Sequence, residues 1–64
     1  MKSVAERLKE ARIRQGLTVK QLAAACHISP SAVQMYECGQ RVPRDELKVA
    51  IANVLGERIQ DLFF

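Results

Sequence analysis

The sequence has few cysteines and no long apolar run. Cys26 and Cys38 are its only thiols, and Met1 to Gln15 alternates charged and apolar residues where a signal peptide would have an apolar centre. No apolar run approaches the roughly 20 residues that a membrane span needs. We therefore expect a cytoplasmic protein without a membrane partner, whose cysteines stay free because structural disulfides belong to oxidising compartments.

Residues typical of catalytic and metal sites are also scarce. The chain has a single histidine, no glycine-rich phosphate loop and no cluster of carboxylates. Cys26, His27 and Cys38 make a poor zinc site, because zinc takes four ligands and adjacent side chains point apart. We expect no enzymatic activity, no metal and no cofactor.

The composition is that of one small folded domain with a modest basic excess. The 64 residues contain no repeat or linker, so a single domain over 1–64 is expected. Apolar residues make up 48% and charged residues 27%, which excludes a disordered chain. A net charge of +3 permits a nucleic-acid partner but does not require one.

Capping motifs and glycines divide the chain into helices, and no strand pattern competes with them. Ser3-Val-Ala-Glu6 and Thr18-Val-Lys-Gln21 are capping boxes, and Ser29-Pro30 places an N-cap before a proline at the first helical position. The predicted helices are therefore helix 1 from about Val4 to Gln15, helix 2 over about eight residues after Thr18, helix 3 from Pro30 to Cys38, helix 4 from Arg44 or Asp45 to Leu55, and a final turn or two from Arg58 to Phe63.

Apolar residues at helical spacing predict which side of each helix is buried. Cys26 is interpreted as a small core residue, and His27 as a turn residue that tolerates a positive φ. The predicted inward positions are Val4, Leu8, Ala11 and Ile13 in helix 1, Ala32, Val33 and Tyr36 in helix 3, and Leu47, Ala50, Ile51, Val54 and Leu55 in helix 4.

The link between the second and third helices is the most informative feature. Only three residues separate Cys26 from Pro30, which is the spacing of a helix-turn-helix, whose members cross at roughly 90 to 120°. The first turn of such a third helix fits the major groove of DNA. Its predicted outward side chains are Ser31, Gln34 and Met35, with Gln40 just beyond the helix.

Residues along nearly the whole chain match, in order, those of one known family. They are Arg12, Gly16-Leu17-Thr18, Leu22-Ala23, Ile28-Ser29-Pro30-Ser31, Tyr36-Glu37, Gly39, Arg41, Pro43, Ile51-Ala52, Leu55-Gly56 and Asp61-Leu62-Phe63. On these residues the sequence resembles the lambda-repressor-like, Cro/Xre-type helix-turn-helix regulators of bacteria and phages. The resemblance implies an all-α, compact five-helix DNA-binding domain with helices 2 and 3 as the helix-turn-helix.

The resemblance also implies positions that read DNA bases. Pro30, Ser31 and Met35 fall where family members place base-reading side chains, and Gln34 is adjacent. Pro30 and Met35 depart from the usual pattern because neither side chain can donate a hydrogen bond. Readout is therefore expected to depend on Ser31, Gln34, apolar contacts and DNA shape.

Contacts with the DNA backbone are expected on both flanks of helix 3. The free amides at the start of helix 2 favour phosphate, although Val19 stands where the family often has Gln. Arg44 matches a basic position that can approach the minor groove, while a solvated loop is the alternative for Arg41 and Arg44. The full expected set is Thr18, Val19, Lys20, Ser29, Gln40, Arg41 and Arg44.

Two further expectations concern packing. The resemblance implies a partly buried ion pair between Arg12 and Glu37 that ties helix 1 to helix 3. Two aromatic residues at the end of so small a domain suggest an interface, and family members often dimerise through their last helices. The predicted dimer interface is Val54, Ile59, Leu62, Phe63 and Phe64, the alternative being that these residues fold back on helix 1.

Together these features predict a homodimeric repressor. Two copies of helix 3 would occupy successive major grooves, about 34 Å apart, of a pseudo-palindromic operator in double-stranded DNA. The alternative is an antitoxin or phage-type interaction module, which binds DNA and holds a protein partner at its C-terminal apolar patch.

Overall fold

The computed structural model describes residues 2–64, and within this range the chain forms five α-helices and no β-strand. They are α1 (Val4–Arg14), α2 (Val19–Ala25), α3 (Pro30–Glu37), α4 (Asp45–Leu55) and α5 (Ile59–Phe63). Over the same residues, every helix is too short or too polar to span a membrane.

The helix boundaries follow from local hydrogen bonds that the sequence encodes. Ser3 and Thr18 each begin a complete capping box, in which the hydroxyl accepts from the third helical amide and the third side chain accepts in return. Gly56 ends α4 in the left-handed conformation, with φ of 66°, which glycine adopts without the strain that a Cβ would cause.

The core lies where α1, α2, α3 and α4 meet, and α5 closes one side of it. α3 packs on both α1 and α2, and α5 packs on α1 and α4. The largest fully buried side chains of the core are Leu8, Leu22, Val33, Ile51, Leu55 and Leu62. Val33 is the fully buried residue of α3 and Tyr36 packs against the core beside it, whereas Pro30, Ser31 and Gln34 are exposed.

The prediction that Ile13 is buried is wrong, since 57% of its side chain is exposed. At about 100° per residue, Ile13 lies on the opposite side of α1 from Val4 and far from Leu8. The buried stripe of α1 is therefore narrower than predicted and consists of Leu8 and Ala11. In α4 the predicted core positions Leu47, Ala50 and Val54 are only half-buried, whereas Ala52 is buried.

The C-terminal segment folds back onto its own domain. Leu62 is 1% and Phe63 is 6% exposed, and Phe63 lines a cavity together with Val4 and Leu8 of α1. The prediction that Leu62 and Phe63 meet a symmetry mate is therefore wrong, because both side chains are already enclosed by their own chain. A helix as short as α5 gains its stability from this packing and not from its own hydrogen bonds.

Candidate nucleic-acid interface

The turn between α2 and α3 is fixed by backbone hydrogen bonds and one buried anchor. The amide of His27 donates to the Ala24 carbonyl at 3.2 Å, and that of Ile28 donates to the Ala23 carbonyl at 2.9 Å. His27 adopts φ of 58°, as predicted for this position, and Ile28 packs against the core. The turn therefore sets the angle at which α3 leaves α2 without using any side chain of the outer surface.

The first turn of α3 projects from the domain. The Ser29 hydroxyl accepts a hydrogen bond from the Ala32 amide at 3.2 Å, and Pro30 occupies the first helical position. Ser29, Pro30 and Ser31 are all exposed. Because the cap uses the Ser29 oxygen as acceptor, its O–H remains available to donate to another group.

The outer side of α3 carries polar side chains that have no partner among residues 2–64. Ser31 and Gln34 are exposed, and neither side chain forms a hydrogen bond in that part of the chain. Met35 is half-buried, and Val33 on the inner side is 1% exposed. The four positions expected to read bases, Pro30, Ser31, Gln34 and Met35, thus all retain some exposed surface on one short helix.

The inner end of α3 is held by a bidentate ion pair with α1. The Arg12 Nε lies 2.7 Å from Glu37 Oε2, and its Nη2 lies 3.1 Å from Oε1. The remaining Nη1 donates to the Leu17 carbonyl at 2.8 Å, just before α2 begins. This pair and the bond to Leu17 join the end of α1, the end of α3 and the segment before α2. The Arg12 and Glu37 side chains are only 12% and 7% exposed, so the pair is poorly hydrated.

Basic side chains around the helix-turn-helix lack carboxylate partners. Lys20, Arg41 and Arg44 form no ion pair with any residue from 2 to 64. Five other basic residues are paired, and these pairs are Lys2–Glu10, Arg12–Glu37, Arg14–Glu57, Lys48–Asp45 and Arg58–Asp61, whereas Arg7 and Lys9 on α1 also form no ion pair within residues 2–64. Three of the five basic residues that form no ion pair within residues 2–64 therefore lie in or near the helix-turn-helix, where their charge favours an anionic partner.

The loop after α3 is tied back to that helix. The amides of Gln40 and Arg41 both donate to the Met35 carbonyl, at 3.0 and 3.4 Å. Gln40 and Arg41 are thereby held at the end of α3, while Arg44 lies beside Ile28 in a shallow groove at the α2–α3 turn. The same groove includes Glu46, and Asp45 directly follows Arg44 in the chain.

A charge pattern in the sequence also marks this region. The predicted contact residues do not depend on it. No aspartate or glutamate occurs between residues 15 and 36, and the charge of Glu37 is neutralised by its ion pair with Arg12. A phosphate-binding surface requires this absence as much as it requires cations, because a nearby carboxylate would repel DNA. The lack of acidic residues is a signal for the candidate interface that does not depend on the family resemblance.

The start of α2 offers less than its sequence suggested. The Thr18 amide donates to the Gln21 side chain at 2.9 Å, so it is not free for phosphate. The Val19 side chain packs against the core. The groups that could meet the DNA backbone are therefore the amides of Val19 and Lys20, the charged side chain of Lys20, and the O–H of Thr18, whose oxygen accepts from the Gln21 amide.

At the C-terminus the structure separates the predicted interface residues into two groups. Leu62 and Phe63 are buried, whereas Phe64 is 74% exposed, and Val54 and Ile59 are half-buried. The Lys48 ammonium lies 4.9 Å from the centroid of the Phe64 ring, within cation–π distance. Val49, which the sequence analysis did not single out, is 49% exposed on α4.

The two thiols occupy contrasting environments. Cys26 is buried, and this burial raises the pKa of its thiol because the thiolate would be desolvated. Cys38 is exposed at the end of α3. Across residues 2–64 no three histidine, cysteine or acidic side chains gather as a metal site would require.

Comparison with known proteins finds relatives of the same architecture. A helix-turn-helix family model matches residues 8–62. The crystal structure of the restriction-modification controller protein C.AhdI from Aeromonas hydrophila is 30% identical with a TM-score of 0.87, over 94% of this chain and 91% of that chain. A search of proteins with curated function finds no match.

A second solved structure is similar over a smaller share of its own length. The clp gene regulator ClgR from Corynebacterium glutamicum is 27% identical with a TM-score of 0.87, over 92% of this chain. The match covers 63% of the ClgR chain, so this chain spans less than two thirds of that protein.

Proposed function

The chain belongs to the helix-turn-helix family and has the fold of its DNA-binding transcriptional regulators, and we propose that it represses transcription as a homodimer that reads DNA with α3. The predicted five-helix, lambda-repressor-like fold is confirmed by these relatives. C.AhdI is a controller protein and ClgR is a gene regulator, and both roles favour a regulatory function for this chain.

One observation carries the proposal: the outward first turn of α3 lies among cations that have no carboxylate partner. A B-DNA major groove is about 12 Å wide and admits one helix, whose N-terminal side chains reach the base edges. Ser31 and Gln34 are exposed there and unpartnered within residues 2–64. Lys20, Arg41 and Arg44 supply the charge that phosphate contacts need.

Base readout is assigned to the four outer positions of α3. Gln34 can pair with adenine through two hydrogen bonds, and Ser31 can donate to or accept from either kind of base pair. Pro30 and Met35 offer apolar contact, for example with a thymine methyl group. Because only Ser31 and Gln34 among these four side chains can form hydrogen bonds with bases, DNA shape is expected to contribute to selectivity.

Backbone contacts are assigned to the two flanks of this helix. On one side stand Ser29 and the groups of Thr18, Val19 and Lys20 that remain free, and on the other stand Gln40, Arg41 and Arg44. These contacts position α3 without reading sequence. They predict that affinity falls steeply as salt rises, because each contacted phosphate releases counterions.

The homodimer is assigned to the exposed part of the C-terminal region. Phe64 presents a largely exposed aromatic ring, and Ile59 and Val54 are half-buried on neighbouring helices. A domain this small buries a limited fraction of its surface and is marginally stable by itself. Burying this apolar surface against a second copy would therefore stabilise it. A two-fold dimer would also place two α3 helices on a palindromic site.

In vitro selection from a random duplex pool tests the DNA-binding proposal. We expect enrichment of a pseudo-palindrome whose half-sites are centred about 10 base pairs apart, or a multiple of that spacing. Binding of the selected duplex should weaken as potassium chloride increases. A flat salt dependence without any enriched sequence would contradict the proposal.

Charge variants test which cations touch DNA. Lys20→Ala and Arg44→Ala should each lower the slope of log affinity against log salt by about 0.9, the value for one phosphate contact. Lys9→Ala is the matched control, because Lys9 is exposed on α1 and forms no ion pair within residues 2–64. An equal effect of Lys9→Ala would show that net charge matters and position does not.

Sedimentation equilibrium tests the dimer. Phe64→Ala should shift the protein towards monomer and reduce the cooperativity of operator binding, whereas Ile13→Ala should change neither. Ile13 is the matched control because it is a similarly exposed apolar side chain on α1. An unchanged dimer in Phe64→Ala would remove this residue from the interface.

A reporter gene tests the direction of regulation. With the selected site placed across a promoter, we expect expression to fall when the protein is present, because the bound dimer excludes polymerase. A rise in expression would identify an activator. Moving the site well upstream of the promoter should abolish the repression.

A second candidate function rests on the exposed Phe64 ring. An interaction module of the antitoxin or phage type would use this apolar surface for a different protein and not for a second copy of itself. A monomer that enriches no DNA sequence, but forms a stable complex with a partner encoded beside it, would favour this alternative.

A further inference from the structure

A cavity of about 400 Å³ opens between the start of α1, the end of α3 and the loop that follows α3. Its walls are mainly apolar and include Val4, Leu8, Val42, Pro43 and Phe63. Sites for small molecules are concave, mostly apolar and roughly 300–1,000 Å³ in volume. This cavity therefore has the size and lining of a ligand site, although DNA binding by α3 does not require it.

The polar groups of the cavity point to the charge of its ligand. Among residues 2–64, Arg41 is the only charged residue in the lining, and it forms no ion pair with any other of these residues. The Ser3 hydroxyl is already engaged with Glu6. Tyr36 adds a half-buried aromatic ring. An apolar chamber with one unpaired guanidinium is complementary to a small anion that has an apolar body.

We propose that this cavity binds a small carboxylic acid with an aryl or branched alkyl body. The apolar body would lie against Leu8, Tyr36 and Phe63, and the carboxylate would meet the Arg41 guanidinium, whose planar donors match a carboxylate in a two-pronged geometry. The guanidinium supplies selectivity for the anion, and the apolar walls supply most of the contact area.

The position of Arg41 couples this ligand to DNA. On the proposed function, on which this step rests, Arg41 also contacts a DNA phosphate. One guanidinium cannot serve both anions fully, so the carboxylic acid weakens DNA binding, and DNA weakens binding of the acid by the same factor. The cavity would thus make DNA binding by this domain respond to a small molecule.

A titration of the 64-residue chain with 4-phenylbutyrate, followed by amide NMR, tests the cavity. We expect saturable shifts at Ala5, Gly39 and Val42, which border it. The neutral analogue 4-phenylbutanamide should bind about fivefold more weakly, the upper range for one exposed ion pair. Shifts scattered over the surface, or equal binding of the two probes, would overturn the proposal.

Variants separate the ion pair from general charge. Arg41→Gln should make the acid and the amide bind equally, whereas Lys9→Gln, which removes a charge from elsewhere on α1, should preserve the difference. Val42→Asp should weaken the acid more than the amide, and Val42→Asn should not. Val42 is 72% exposed, so these two variants are expected to fold.

The DNA arm is measured separately on a duplex of arbitrary sequence. Saturating 4-phenylbutyrate should lower DNA affinity about fivefold in the unmodified protein, within the usual range of coupling between sites, and should have no effect in Arg41→Gln. Unchanged DNA affinity despite a saturated cavity would overturn the regulatory step.

Two further outcomes remain distinguishable. A protein that binds no DNA contradicts the proposed function, while the NMR titration still decides the cavity. Amide shifts at the cavity that appear on concentrating the protein without a probe would show that a second copy covers it, and would overturn the ligand proposal.

Discussion

The inner and outer sides of α3 differ in how their side chains are held. On the inner side, Val33 is buried and Glu37 is fixed to Arg12 through two hydrogen bonds. On the outer side, Ser31 and Gln34 are exposed and have no partner within the described residues. Eight residues of one helix thus combine a rigid attachment with an open surface.

This contrast implies that the position and the specificity of the helix are largely independent. The attachment sets the position of α3, because separating the desolvated side chains of Arg12 and Glu37 would raise the free energy of the folded protein. The outer side chains contribute little to folding, because water already satisfies them. Changes on one side should therefore alter stability, and changes on the other should alter only recognition.

The largest expected effect comes from breaking the inner attachment. Glu37→Gln should destabilise the fold by about 3 kcal/mol, since removing one charge of a poorly hydrated pair leaves the other unpaired. That is a large share of the roughly 3–10 kcal/mol expected for a chain of this length. Thermal unfolding followed by circular dichroism measures the loss.

The matched control for this change is Glu10→Gln. Its ion pair with Lys2 is 41% and 59% exposed, so its loss should cost under about 1 kcal/mol. An unchanged melting temperature in Glu37→Gln would show that the inner side is not held by charge, and the contrast between the two sides would fail.

The next effect in size concerns the outer side. Replacing Ser31, Gln34 and Met35 together by Ala should reduce preference for the selected operator about 10- to 100-fold, since each good base contact contributes about 1–3 kcal/mol of discrimination. Binding to arbitrary duplex should persist because the phosphate contacts remain. Competition titrations with specific and non-specific DNA measure both.

Folding is the control for this triple variant. Its unfolding midpoint in urea should stay near that of the unmodified protein, allowing for some lost packing of the half-buried Met35. Equal loss of specific and non-specific binding would place the base contacts elsewhere on the molecule.

The two thiols extend the contrast between buried and exposed groups. At neutral pH, iodoacetamide should modify Cys38 at least about tenfold faster than Cys26, because alkylation needs an accessible thiolate and burial raises the pKa of the Cys26 thiol. Mass spectrometry of the digested protein locates the label. In concentrated urea both thiols should react at similar rates. Equal alkylation rates of Cys26 and Cys38 in the folded protein would contradict the buried position of Cys26.

The smallest effect tests Ser29, which belongs to both sides. Ser29→Ala should cost about 1 kcal/mol of stability through loss of the cap that accepts from the Ala32 amide. Ser29→Asp should retain the cap but weaken DNA binding, because its charge repels phosphate. Unfolding and DNA affinity measured on both variants separate the two roles, and unchanged DNA affinity in Ser29→Asp would remove Ser29 from the interface.

Local features of the fold could be predicted because their causes are local. The starts of α1, α2 and α3 depend on Ser3, Thr18 and Ser29, whose hydroxyls bond to amides three residues away. Burial of single residues was predicted less well. The prediction for Ile13 was wrong because helical rotation places this residue on the opposite side of α1 from Val4 and far from Leu8.

The candidate site shows the same division. The outward positions of α3 follow from helical periodicity, which needs no knowledge of the other helices. Pairing among charges does not follow from periodicity. Within residues 2–64, Arg41 and Arg44 are unpaired and Arg14 is paired with Glu57 only because of how the helices are arranged in space.

The sequence by itself determined where helices begin and end and which short turn joins α2 to α3, because capping, glycine geometry and spacing act over a few residues. Tertiary structure alone decided that Phe63 is buried while the adjacent Phe64 is exposed, that Glu37 meets Arg12 across 25 residues, and that a cavity forms beside Arg41. Those outcomes depend on which helices come together, and that is fixed only when the whole core packs.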